Sequence, residues 1–279
     1  MNGPIGLHGG GEYEAGDERF LDALLRAAGR VATARATRPT DGPAEGHTAD
    51  RADRDVAGHS SGPALQLRVA TIRVVVLPTA AARGMPDRAA RNGQVAFERR
   101  AAVLGWPATV DIARVVDRDS AADPHEAACI ADADLIHLPG GDPELVPAIL
   151  AGSAALAAMI TASSGGAVVA GASAGAMALA EWTWTPAGGI RALGLVRGLA
   201  VVPHYDDVRR TSWQRTLDAI APGGIGYLGL DERTGVIGAS NGSPGRSWRV
   251  AGPGAAWWFG RGTTEPIVGR DGDVLDLPV

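Results

Sequence analysis

The sequence predicts an α/β protein with a doubly wound, mostly parallel sheet and helices on both faces. Short all-apolar runs such as Val74-Val75-Val76 and Val168-Val169-Ala170 alternate with helix-length amphipathic segments, the pattern of βαβ units with right-handed crossovers. Glycine-rich turns stand where these runs end, at Gly9–Gly11, Gly140-Gly141 and Gly171–Gly175. In open α/β sheets the carboxyl ends of the strands line one rim, where sites form.

Taken in order, Ile5–His8 reads as a strand entering a glycine loop, and Asp17 caps a helix with Phe20, Leu21, Leu24 and Leu25 on one face. The loop lacks G-x-G-x-x-G or G-K-[ST], so close packing beside a site is a better reading than phosphate binding. From 31 to 67 the composition turns polar and aperiodic, as expected of a disordered insertion. Thr71–Leu77 is a strand, Asp87–Gly105 a helix, Thr109–Val116 a strand, Asp123–Ala131 a helix and Asp134–Leu138 a strand. Leu145–Ser163 reads as a helix broken near Gly152-Ser153. Ala167–Ala170 is a buried strand, and a helix is expected from Ala174 through Glu181. Leu195–Val202 is a strand, Arg209–Ile220 a helix, and Leu228–Ile237 two strand pieces around an acidic turn. Trp248, Trp257, Trp258 and Phe259 lie between glycine turns in an antiparallel extension at about 241–279.

Composition narrows the function. The chain has 279 residues and is 46% hydrophobic, enough for a full core, and its net charge of −5 argues against a nucleic-acid or anionic-membrane partner. All its basic residues are arginine. A single cysteine, Cys129, permits neither an intrachain disulfide nor a cysteine-rich metal site. No segment resembles a signal peptide or a membrane span, so a cytoplasmic location is expected.

Chemistry concentrates at Gly171-Ala172-Ser173-Ala174-Gly175, a G-x-S-x-G between strand and helix. This is the form of a nucleophile elbow, although a glycine-rich βα turn with a capping serine has the same letters. A serine nucleophile needs a base, and the base needs a group to orient it. Of six histidines, His204 follows the serine at the end of a strand with polar residues after it; Glu232 or Asp231 fits as the carboxylate. Arg209 or Arg210 could clamp a substrate carboxylate, and both equally suit a solvated helix face.

Five segments in order carry a resemblance: Gly9-Gly10-Gly11-Glu12, Leu138-Pro139-Gly140-Gly141, Gly171–Ala176, Pro203-His204-Tyr205 and Gly229-Leu230-Asp231-Glu232-x-Thr234. Together they resemble the S51 serine peptidases, the family of aspartyl dipeptidase (peptidase E) and cyanophycinase. The resemblance implies one hydrolase domain of class I glutamine amidotransferase-like fold over 1–279, with a triad of Ser173, His204 and, by the cyanophycinase pattern, Glu232. In the dipeptidase branch the acid follows the nucleophile more closely; here Glu181 is the only carboxylate in that stretch and stands too near. The resemblance also implies an oxyanion hole from the N–H groups of Gly141 and Ala174, with Gly10, Gly11, Asp142, Tyr205 and Arg210 around the substrate. No metal or organic cofactor is implied. Pro143 replaces a glutamine of the cyanophycinases, Val202-Pro203 an Asp-Gln pair, and Val208 and Trp213 two arginines, which argues against cyanophycin as substrate. The expectation is a serine exopeptidase or dipeptidase for short peptides, acidic ones among the candidates; a homodimer is compatible with it. Two rivals stay open: an esterase, amidase or acyltransferase with the same triad, and a non-catalytic binding module.

Overall fold

The computed structural model describes residues 2–37, 70–185, 188–206, 210, 212–213, 215–217, 222–238, 246–260, 262–263 and 265–277. The main sheet starts from β1 (Ile5–His8), β2 (Ile72–Val76), β3 (Ala108–Ile112), β4 (Leu135–Leu138) and β5 (Val168–Ala172), which pair in parallel in the order β1-β5-β4-β2-β3. Side chains alternate across a strand, and the two faces bury different partners. Val74, Val76, Leu135, Val168 and Ala170 pack under Phe20 and Leu24 of α1 (Glu18–Ala36) and Phe97 of α2 (Pro86–Leu104). Val75, Ile136, Leu138 and Val169 face the opposite way. There they meet α4 (Pro124–Ala131), α5 (Leu145–Leu150) and α6 (Ala154–Ser164) through Ile130, Ile149 and Met159; α3 (Arg118–Ala122) adds Ala121. Helices thus cover both faces, and the broken helix expected at Leu145–Ser163 is α5 and α6, parted by Ser153, whose side chain caps the Leu156 N–H.

α7 (Ala174–Leu179) ends before the expected Glu181. Ala180 already belongs to β6 (Ala180–Thr185), which turns back into β7 (Gly188–Arg191). These strands open a second sheet with β8 (Val196–Val202), β9 (Gly226–Leu230), β12 (Ala255–Phe259) and β13 (Ile267–Arg270), in the order β13-β12-β9-β8-β6-β7. β10 (Gly235–Gly238), β11 (Arg246–Ala251) and β14 (Val274–Leu277) instead extend the main sheet antiparallel from β1. The C-terminal strands are therefore divided between the two sheets. Val196, Leu199, Leu228 and Trp258 of the second sheet share a core with α5, α6 and α7.

The insertion expected from 31 has a corrected start. α1 runs on to Ala36, with Ala28 and Ala32 buried on one stripe, because alanine keeps both helix propensity and close packing where larger apolar residues are missing. Residues 38–67 of that expectation lie outside the described residues, as does part of the helix expected at Arg209–Ile220.

Candidate active site

The elbow is built by small residues. Ser173 sits at φ 48°, ψ −117° between β5 and α7, in the region that costs a non-glycine residue of the order of 1–3 kcal/mol. Gly171 and Gly175 make the turn possible. A Cβ on Gly171 would lie 2.6 Å from the Ala176 nitrogen, and one on Gly175 would run into the Leu138 carbonyl. The Ser173 N–H donates to the His8 carbonyl at 2.9 Å, tying the elbow to the end of β1.

Three chain segments converge on the serine. Its Oγ is 3.0 Å from His204 Nε2, and His204 Nδ1 is 2.9 Å from Glu232 Oε1. His204 follows the end of β8 at φ 52°. Its N–H donates to the Gly9 carbonyl at 2.7 Å, the Arg233 N–H donates to the Gly10 carbonyl at 2.7 Å, and Tyr205 N–H reaches Leu230 at 3.0 Å. Gly10, at φ 106°, lets the imidazole rest on bare backbone: a Cβ there would stand 2.7 Å from His204 Nε2. The loop after β1, the segment after β8 and the turn after β9 thus hold one another. With Nδ1–H donating to Glu232, Nε2 is left to accept the serine proton, the arrangement a general base requires.

Asp231, the other candidate acid, points elsewhere. Its Oδ2 accepts from the Ala255 N–H at 2.9 Å; Oδ1 accepts from Trp257 Nε1 at 3.2 Å and from Arg210 Nη2 at 3.4 Å. Arg210 lies over the Trp257 ring, 3.7 Å from its centroid, and also donates to the Tyr205 carbonyl. Tyr205, expected at the substrate, is fully buried between Trp257 and Phe259. Both residues brace the turn that carries Glu232. Glu181, set aside from the sequence, accepts from the Gly198 N–H at 2.7 Å, away from the serine.

Gly141, Ala174 and Asp142 are brought to the same rim. Ala174 opens α7, where an N–H has no acceptor in its own helix. The Asp142 N–H bonds the Ala80 carbonyl, and its carboxylate pairs with Arg83 at 3.0 Å. A cavity of about 500 Å³ begins at Pro139, Gly141 and Asp142 and extends past Tyr13 and Met85. Glu12, which sequence reasoning passed over, lines it and accepts the Gly140 N–H at 2.7 Å. Its position directly after three glycines was the available signal.

Beneath this loop lies a buried polar cluster. His8 Nε2 and Asp17 Oδ1 are 2.9 Å apart and almost wholly buried. Asp17 was expected to cap α1; its side chain accepts instead from the Tyr13 N–H. Burial pushes the His137 pKa down to about 3, with His8 adding to the effect. Burial, then Glu12 and Asp17, raise that of Tyr13 well above its ordinary value. Tyr13 therefore keeps its proton, and its hydroxyl is hydrogen-bonded to Nδ1 of neutral His137 at 2.9 Å.

A family model for peptidase family S51 matches residues 64–239, from ahead of β2 through β10. The chain belongs to peptidase family S51. It is a serine-type peptidase on that ground. Among solved structures it resembles a peptidase from an acI-B1 Actinobacterium at 21% identity and TM-score 0.71, over 99% of this chain and 98% of that one; the likeness is one of fold. A putative peptidase E from Listeria monocytogenes EGD-e aligns at 13% identity and TM-score 0.46, over 97% and 99% of the two chains. No curated protein matches the chain. Among the described residues no helix is long and apolar enough to cross a membrane.

Proposed function

We propose that this S51 peptidase is a serine exopeptidase that cleaves short peptides through an acyl-enzyme on Ser173. The observation that carries the reading is the unbroken chain from Ser173 Oγ to His204 Nε2 and from His204 Nδ1 to Glu232, at 3.0 and 2.9 Å. His204 takes the serine proton as Oγ attacks the scissile carbonyl, then gives it to the leaving amine; water repeats the sequence in reverse to free the acid. Glu232 fixes the ring tautomer and steadies the imidazolium. The N–H groups of Gly141 and Ala174 receive the developing oxyanion. A cavity of about 500 Å³ beside Gly141 suits a short peptide better than a folded chain. A fluorophosphonate probe tests the nucleophile: it should label wild-type protein and spare Ser173→Ala. Labelling that persists in the variant would overturn the assignment.

A further inference from the structure

At the end of the second sheet far from His204, two arginines line one cavity. β7 ends at Arg191, and Arg197 follows Val196 at the start of β8. Residues 192–195 join the two strands in a turn that is held firmly. Its Leu193 and Gly194 N–H groups donate to the Ala178 and Ala180 carbonyls at 2.9 and 2.8 Å. The cavity over this turn holds about 410 Å³ and is lined by Glu181, Arg191, Arg197 and residues 192–194. Among the described residues neither guanidinium has an ion-pair partner. Glu181, the one carboxylate in the lining, is already engaged. β8 shifts register against β6 here, with Gly198 at φ 76°, and Glu181 Oε2 accepts the Gly198 N–H at 2.7 Å.

Two guanidinium groups on one concave surface repel each other unless an anion sits between them. Their planar donor forks match the paired oxygens of a carboxylate or a phosphate. The whole chain carries a net charge of −5, so no general electrostatic pull brings anions here, and the local geometry must do it. A second cavity of about 350 Å³ shares Glu181 and Arg191 with the first and continues along Trp182, Pro222 and Ile225. An anionic head between the arginines therefore has an apolar strip beside it. We infer that Arg191 and Arg197 bind the oxyanion head, carboxylate or phosphate, of a small organic ligand whose apolar body lies along Trp182 and Ile225. The length of β8 separates this site from the triad: at about 3.3 Å per residue, Arg197 stands about 20 Å from His204. The inference is thus independent of the reading of Ser173 as nucleophile.

Calorimetric titration of the full chain tests the site with phenyl phosphate, benzoate, inorganic phosphate and, as the neutral control, benzyl alcohol. At least one of the two aromatic anions should bind, and which of them binds more tightly tells phosphate from carboxylate. Benzyl alcohol should not bind. Inorganic phosphate, which has no apolar body, should bind more weakly than phenyl phosphate. Arg191→Gln and Arg197→Gln should each weaken binding of the preferred anion about 10- to 100-fold, the range of a hydrogen bond to a charged group. Arg191→Lys, which keeps the charge without the fork, should recover part of that loss. Urea unfolding of each variant, expected to match wild type because both side chains are exposed, shows that the fold is kept. Binding of neither aromatic anion overturns the inference. So does binding that survives both glutamine substitutions, which would place the anion in another cavity such as the one beside Arg83, and so does inorganic phosphate binding as tightly as phenyl phosphate.

Discussion

At the scale of residues, two adjacent carboxylates divide the work of one turn. Glu232 faces His204, while Asp231 is occupied by the Ala255 N–H, Trp257 and Arg210. Glu232→Gln should lower kcat by about 10²- to 10⁴-fold with little change in KM, because a neutral amide no longer steadies the imidazolium or enforces its tautomer. Steady-state kinetics on any peptide that wild type cleaves would check this, and an unchanged kcat would remove Glu232 from the mechanism. The sequence placed Ser173, His204 and the acidic turn at strand ends, since apolar runs and glycines mark such ends directly. It left Asp231 and Glu232 open because neighbouring side chains on a turn point apart, and the partner strand β12 decides which one turns inward. Glu12 stayed hidden for a related reason. It meets Gly140 across 128 positions of sequence, and no local pattern records that contact.

At the scale of elements, the second sheet holds the acid in place, and this was the least legible part of the fold. Ala174–Glu181 reads as helix because alanine favours one, yet the chain turns at Ala180 into β6, where Trp182 and Trp184 alternate with threonines. The pairing of β6 with β8 overrides the local preference. β9 and β12 were visible as apolar pieces, but their pairing was not. Asp231 is the pin between those two strands. Asp231→Ala should destabilise the protein by about 2 kcal/mol, the scale of losing partly buried charge-assisted hydrogen bonds. It should also lower kcat by letting Glu232 drift. Urea unfolding with parallel kinetics would measure both, and Asp231→Asn, which retains acceptor capacity toward Ala255, should lose less of each.

At the scale of the whole molecule, the active rim stands on a buried polar layer joining β1, β4 and the loop after β1. His137 lies in that layer, against Tyr13, Phe97 and the nearby His8. Its pKa of about 3 in the folded protein compares with 6.5 for an unperturbed histidine. Between those values the unfolded chain binds the proton and the folded one does not, so stability rises with pH across that window. The contribution is fully present above about pH 6.5 and is lost as pH falls toward 3. From this one group, moving from pH 7 to pH 5 should cost about 2 kcal/mol. His137→Gln removes the titration while keeping a polar partner for the Tyr13 hydroxyl. Its unfolding free energy should start below that of wild type at pH 7 and decline less steeply on acidification. Urea melts of both proteins at several pH values decide the matter. Parallel slopes would mean that His137 takes up a proton as readily in the folded state as in the unfolded one, and that the layer under the active rim is open to water.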